Sequence, residues 1–434
     1  MAAVQNRFVF PVDLFARVLS EPVGYHLAYA FEEGSPVSNF KTNVPYALEA
    51  FVRFFPFSAW RDRSERWHSR CLKSKEMSAT RPLRKRRSSG TIRLGYVPLC
   101  DCAPLVAAEQ LGLFSHCGLE VVLVREAGWA TVLDKIVFGE LEAAHAVVGL
   151  PFASALGLRT IPKPCLVPLI LSLHGNAITL ARHWWDRGIC DGFSLRQAVV
   201  SENRRLTFGV VSLFSSHHFL LRQWIWSVGI PLQLVRICVV PPPQMPDHLA
   251  AGHLDGFCAG EPWNSVAVQR GAGWCPITSG ELAPLHPEKL LVVSQPWAEH
   301  NREECLRLVA ALISACQWCD EPENREKLVS WLSSPRYLHL PEEMVRPSLV
   351  GPFSPAPGKT RALPDFLVFH RFDTNRPTRT KALWVWEKLQ SCLHFELPVS
   401  EPPWQPIELF SEEMYLEALE LGFSMLSCSE TIPR

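Results

Sequence analysis

The chain has 434 residues, with 43 Lys and Arg balancing 43 Asp and Glu and a hydrophobic content of 47%. That length accommodates two or three globular units, or one two-lobed domain with extensions, and the balanced charge sets up no field favouring nucleic acid or an anionic membrane. No apolar run reaches the ~18 residues expected of a membrane-spanning helix.

Residues 1–76 hold short apolar pieces such as "FVFPVDLFARVL" and "FVRFFPFSAW", without a clear period and without the continuous apolar core of a secretory signal. A basic stretch follows at 77–90, "MSATRPLRKRRSSG", with Arg81, Arg84, Lys85, Arg86 and Arg87. Its "RRSS" precedes a strand rather than a hydrophobic region, so it reads as a solvated linker and not as a twin-arginine export signal. The change of pattern leads to the expectation that the native protein starts at Met77 and that 1–90 is an extension.

From residue 91 onward short β-branched runs ("TIRLGYV", "LEVVLVR", "AAHAVVG", "LTFGVVS", "VRICVVPP", "GFCAG", "KLLVVS") alternate with helical stretches ("APLVAAEQLGLF", "WATVLDKIVFGEL", "SHHFLLRQWIWSVG", "PDHLAAGHL", "REECLRLVAALISACQWC"). Such alternation predicts βαβ units and largely parallel sheets. The fold class expected is therefore α/β with two lobes, the first at 91–185 and the second at 186–280. Residues 281–349 return to the first lobe, and 350–434 form an extension packing on the lobes.

Fourteen cysteines stand at irregular spacings, which is not a disulfide framework and suits a reducing compartment. Cys316 and Cys319 form a CxxC within an apolar-periodic helix, and no second half-site follows at zinc spacing; both read as core or surface thiols. Cys100 and Cys102 are the densest pair.

Ligands of open α/β sheets sit at the carboxyl ends of strands, beside helix N-termini. Those junctions carry Asp101 and Pro104, read as a helix cap and first turn; Trp129; Gly175 and Asn176; Ser215, Ser216 and His217; "QMPDHL"; and Glu261 in "GEPWN". Amide, hydroxyl, indole and imidazole donors at helix starts suit a small anion. No GxSxG elbow, HExxH or GxxxxGK[ST] loop is present, so the junctions are built for binding rather than bond-making.

Blocks including "LGYVPLCDCAPLVAAEQLGLF", "GNAITLAR", "VVSLFSSHHFLLRQW", "VVPPPQM", "LDGFCAGEPWNSVAV" and "HPEKLLVV" resemble the nitrate- and bicarbonate-binding proteins of ABC importers, two-lobed solute-binding proteins of the periplasmic-binding type 2 fold. The resemblance runs from about residue 91 to about residue 350. It implies a cleft between lobes that closes on a planar monoanion held by Trp129, Asn176 with Gly175 beside it, and His217. It further implies Pro243 lining the pocket, Glu261 at the site, and Lys289 favouring nitrate or nitrite over bicarbonate. A carboxylate at an anion site is itself read as accepting hydrogen bonds from a cationic donor such as His217 or Lys289 and holding it in place. From the residues alone, Lys289 falls in a polar loop, where a solvated lysine is the ordinary outcome.

The resemblance also implies two trades. One is a cytosolic nitrate/nitrite sensor that restrains an RNA-binding antiterminator until the anion arrives, with no direct nucleic-acid contact by this chain. The other is the binding component that feeds an ABC permease. The cysteines and the absence of an export pattern favour the cytoplasmic sensor. Neither reading needs a cofactor or an enzymatic activity. A pyrimidine-precursor synthase, which shares the fold, requires a cysteine cluster that the sequence does not have.

Overall fold

The computed structural model describes residues 90–158, 161–393 and 406–427. The expectations for the segment before residue 90, including a start at Met77, lie outside the described residues.

The first lobe begins with β1 (Ile92–Tyr96), α1 (Ala103–Gln110), β2 (Val121–Arg125), α2 (Trp129–Phe138), β3 (Ala143–Val147), α3 (Leu150–Leu156) and β4 (Cys165–His174). The second contains β5 (Asn176–Ala181), α4 (Gly192–Ser201), β6 (Leu206–Val210), α5 (Ser216–Val228), β7 (Val235–Val239), α6 (Met245–Ala250), β8 (Gly256–Gly260), α7 (Trp263–Gln269) and β9 (Gly273–Thr278). The chain then returns with β10 (Pro287–Ser294), α8 (Arg302–Asp320), α9 (Arg325–Ser333), α10 (Glu342–Leu349), the hairpin β11 (Phe353–Ala356) and β12 (Lys359–Arg361), β13 (Leu367–Val368), α11 (Arg379–Leu393) and α12 (Glu412–Ser427).

Two sheets form the two lobes. One has six strands in the order β13-β4-β10-β3-β1-β2, and the other five in the order β7-β6-β8-β5-β9. The expected two-lobed α/β architecture is thus present, but the sheets are mixed rather than largely parallel. β1 pairs in parallel with β2 and β3, and β6 with β7 and β8. The strands that carry the chain between lobes run the other way: β10 is antiparallel to β3 and β4, and β5 to β8 and β9. The cause is topological. βαβ units generate parallel neighbours, whereas a strand arriving from the other lobe enters the sheet without a crossover helix.

The first crossing lies at His174 and Gly175, inside the 91–185 segment, where both residues take left-handed backbone with φ of 62° and 80°. At Gly175 a side chain would also meet Leu367 Cδ1 at 2.7 Å, so glycine answers both the conformation and the close approach.

The return helix α8 packs on α1 and α12. It buries Leu308, Val309, Leu312, Ile313, Cys316 and Cys319, a stripe at helical spacing. Each large aliphatic side chain there contributes roughly 1.5–3 kcal/mol by leaving water. Both cysteines of the CxxC belong to this stripe, and burial pushes their thiols up, so they remain protonated.

Candidate functional site

Side chains from both lobes converge between the sheets. From the first lobe come Asp101, on the turn after β1; Trp129, at the first position of α2; His145, on β3; and Glu288 and Lys289, on β10. From the second come Asn176, which opens β5, Ser216 and His217, which open α5, and Gly260, which ends β8. Asn176, His145, Ser216, His217, Glu288 and Lys289 are all 0% exposed.

Glu288 and Lys289 are sequence neighbours and would point to opposite faces of a regular strand. Between Pro287 and Lys289 the chain advances two residues while its β4 partners advance only from Leu173 to Ser172. Glu288 is the extra residue of that irregularity, and its side chain turns to the same site as the lysine. The Ser215 hydroxyl accepts from the His218 amide and so fixes the start of α5, placing Ser216 and His217 at the site. At Gly260 a Cβ would lie 3.2 Å from Asp101 Oδ2, 3.5 Å from Asn176 Oδ1 and 3.6 Å from His217 Nε2. The bare glycine keeps that space open.

The polar groups interlock. Lys289 Nζ donates to Asp101 Oδ2 at 2.7 Å and to Glu288 Oε1 at 2.6 Å. Asn176 Nδ2 and Ser216 Oγ both donate to Glu288 Oε2. His217 Nε2 faces two oxygens, Asn176 Oδ1 at 3.0 Å and Glu288 Oε1 at 3.2 Å, so it carries the proton. His145 Nε2 donates in the same way to Asp101 Oδ1 at 2.9 Å.

Burial, outweighed by Lys289 and the neighbouring hydrogen bonds, leaves the carboxyls of Asp101 and Glu288 depressed to about 2. The lysine is raised by the same two carboxylates, against burial. Burial lowers His217 to about 4, and it lowers His145 as well. At neutral pH the cluster therefore holds two negative charges, one positive charge and neutral imidazoles.

Several buried polar atoms find no hydrogen-bond partner among the described residues: Trp129 Nε1, His145 Nδ1 and His217 Nδ1. The Trp129 ring lies 5.4 Å from His145, with Lys289 Nζ 5.6 Å from its centre. A buried polar group left unpaired costs about 1–3 kcal/mol. The indole N–H groups of Trp184, Trp263 and Trp274, outside the cluster, are also unpartnered among the described residues, and what sets Trp129 apart is its place beside the Lys289 ammonium.

The profile of the NMT1-like family matches residues 86–333. The chain belongs to the NMT1-like family. Among relatives, the nitrate import ATP-binding protein NrtC of Synechocystis sp. is 35% identical over 310 residues, covering 70% of this chain and 46% of NrtC. The nitrate/nitrite binding protein NrtA of Nostoc sp. is 30% identical over 258 residues, covering 57% of this chain and 58% of NrtA. The crystal structure of the periplasmic nitrate-binding protein NrtA from Synechocystis superposes with a TM-score of 0.71 at 24% identity, covering 76% of this chain and 88% of that one. The match thus spans about half the length of these two curated relatives. The resemblance read from the sequence is borne out at the level of family and fold.

Of the residues that the resemblance to nitrate- and bicarbonate-binding proteins assigned to a ligand, Trp129, Asn176, His217 and Lys289 meet in the cluster. Lys289 is not in a polar loop: it is buried on β10, and two carboxylates neutralise it. Three others are placed differently. Gly175 makes the crossing between sheets; its amide donates to Phe366 O at 2.6 Å. Pro243 is exposed on the turn that follows the edge strand β7.

Glu261 does not steady His217 or Lys289. Its carboxylate accepts from Ser348 Oγ at 3.0 Å and from the Ser265 amide at 3.3 Å, while Oε1 is unpartnered among the described residues. Burial pushes this carboxyl up to about 7, against those hydrogen bonds. Its backbone joins the lobes, donating to Gly175 O at 3.0 Å and accepting from Cys100 N at 2.8 Å. The orienting carboxylates are instead Asp101 and Glu288. Asp101 had been read as a helix cap, but it makes no capping bond. A cavity of about 610 Å³ lined by Asp320, Arg325, Ser348, Phe366 and Arg371 borders Glu261's partner Ser348 and includes none of the cluster residues.

Proposed function

We propose that this protein binds a small planar oxyanion, nitrate or nitrite, between its lobes. The observation that carries the reading is the convergence of Trp129, Asn176, His217 and Lys289 from the two lobes at one buried point. Nitrate spreads a single charge over three oxygens, so neutral donors and one ammonium suffice, each charge-assisted bond contributing roughly 1.5–3 kcal/mol. The unpartnered Trp129 N–H and the third hydrogen of the Lys289 ammonium supply donors that the protein does not itself consume. The cluster already carries one more negative charge than positive, so a tetrahedral dianion such as sulfate meets stronger repulsion there than a planar monoanion does, and that difference favours the monoanion. Residues on opposite sheets make the contacts only when the lobes are together, so binding favours closure.

Downstream of binding, the favoured role is cytosolic sensing through an RNA-binding antiterminator. It is supported by twelve cysteines carrying no disulfide among the described residues. The second reading, a binding component for an ABC permease, is supported by relatives named for nitrate import and bicarbonate transport. In both readings the protein binds and does not catalyse.

Isothermal titration with nitrate, nitrite, bicarbonate and sulfate tests the ligand. Binding of bicarbonate without nitrate or nitrite overturns the assignment. Cell fractionation tests the role, since protein found outside the cytoplasm excludes the sensor.

A further inference from the structure

Three of the four groups assigned to the anion, Lys289, His217 and Asn176, are already in use, and so is the neighbouring Ser216, which is not among them. Lys289 Nζ, His217 Nε2, Asn176 Nδ2 and Ser216 Oγ all converge on one group, the carboxylate of Glu288. A carboxylate is planar, carries one negative charge over equivalent oxygens and accepts in its own plane, which is also the description of nitrate and bicarbonate. Glu288 reaches from β10 of the six-stranded sheet to β5 and α5 of the other lobe, so it spans the two lobes as a ligand would. The irregular pairing of β10 on β4 is what delivers it there.

We propose that Glu288 is a resident surrogate for the anion, holding the ligand's donors in the empty protein and setting the affinity that an incoming planar oxyanion must exceed. The inference rests on the oxyanion reading above. Ligand entry then means exchange: the anion takes Asn176, His217 and Lys289 while the Glu288 side chain withdraws from them. The resident carboxylate also filters by charge and shape. A neutral planar molecule gives Lys289 no replacement for the charge it loses, and a tetrahedral ion does not follow the arrangement that a flat carboxylate satisfies.

The reasoning fixes an unusual sign. A residue that merely positions Lys289 and His217 would weaken binding when altered, whereas a competitor would strengthen it. Glu288→Gln keeps the size and one oxygen and removes the charge, so titration with nitrate and nitrite is expected to show affinity rising about tenfold or more. Ser216→Ala removes one donor to the surrogate and no charge, and should raise affinity about threefold. A thermal melt shows which variants fold. If Glu288→Gln does not fold, Ser216→Ala decides the matter alone. Equal or weaker binding by the folded variants overturns the surrogate while leaving the oxyanion function standing. Failure of wild type and variants alike to bind nitrate, nitrite or bicarbonate instead removes the functional reading, and the surrogate with it.

Discussion

Replacing Lys289 by methionine isolates the electrostatics of the cluster. The ammonium is fully buried and lies 2.7 Å from Asp101 and 2.6 Å from Glu288. Methionine fills much of the same space, so the dominant change is two buried carboxylates without their cation. Breaking a buried pair in this way costs about 3–5 kcal/mol. For a lobe of this size that is roughly 10 °C of melting temperature.

The pH dependence gives the sharper test. In the wild type, Asp101 and Glu288 fall from ordinary values of 3.8 and 4.5 to about 2. Depressed carboxyls contribute stability that is present above their unfolded values and lost as pH falls through their folded ones. Each is worth on the order of 2–3 kcal/mol, and the loss falls between about pH 4.5 and pH 2. In Lys289→Met the largest influence opposing burial is gone, so burial acts against only the remaining donors from His145, Asn176, Ser216 and His217, and the carboxyls rise. The variant should therefore gain stability as pH drops from 7 towards 5, where the wild type gains none from these two carboxyls. Thermal melts of both proteins across pH 3–8 measure this. Parallel profiles with equal melting temperatures at pH 7 would refute the account of the cluster.

Three further outcomes are expected. Trp129→Phe keeps the ring and removes an N–H that is unpartnered in the empty protein, so calorimetry should show nitrate affinity falling roughly 10–100-fold, with a melting temperature within about 2 °C of wild type. Gly260→Ala places a Cβ against Asp101, Asn176 and His217; binding should weaken while circular dichroism remains that of the wild type. Glu261→Gln should leave nitrate affinity unchanged, because the carboxylate touches neither His217 nor Lys289. Its carboxyl is raised to about 7, so the folded state disfavours the charge as pH climbs from 4.5 through 7. Removing that charge should stabilise the protein above pH 7 by about 2–3 kcal/mol, read from denaturant melts at pH 8.

The strands that alternate with helices were readable because β-branched runs and helical periods are local signals. "GFCAG" is β8 residue for residue, and the helix from Arg302 ends within a residue of its expected limit. The crossing was harder to see. Nothing in "LSLHGNAITL" announces that β4 and β5 belong to different sheets, because pairing partners are chosen by distant sequence. Lys289 shows the same limit. Beside a proline and a glutamate it looks like a loop residue, and its burial rests on Asp101, far away in sequence, together with the adjacent Glu288. Glu288 stood in the quoted "HPEK" motif, but nothing local shows the irregular pairing with β4 that turns it to the same site as Lys289. Glu261 was misjudged because a carboxylate near an anion site invites an electrostatic role, whereas its backbone does the joining.

The irregular pairing at Glu288 carries a consequence for how such a site can change. Two adjacent side chains of opposite charge face the same interior because β10 is out of phase with β4 over one step and back in phase over the next. Phase, and not only residue identity, thus decides which sign of charge the interior presents. A one-residue insertion or deletion near Pro287 would withdraw the ammonium and leave the carboxylate, or the reverse, without altering either residue. Ligand preference in this architecture is therefore open to inheritance through strand alignment, a route that a comparison of residue identities column by column would miss.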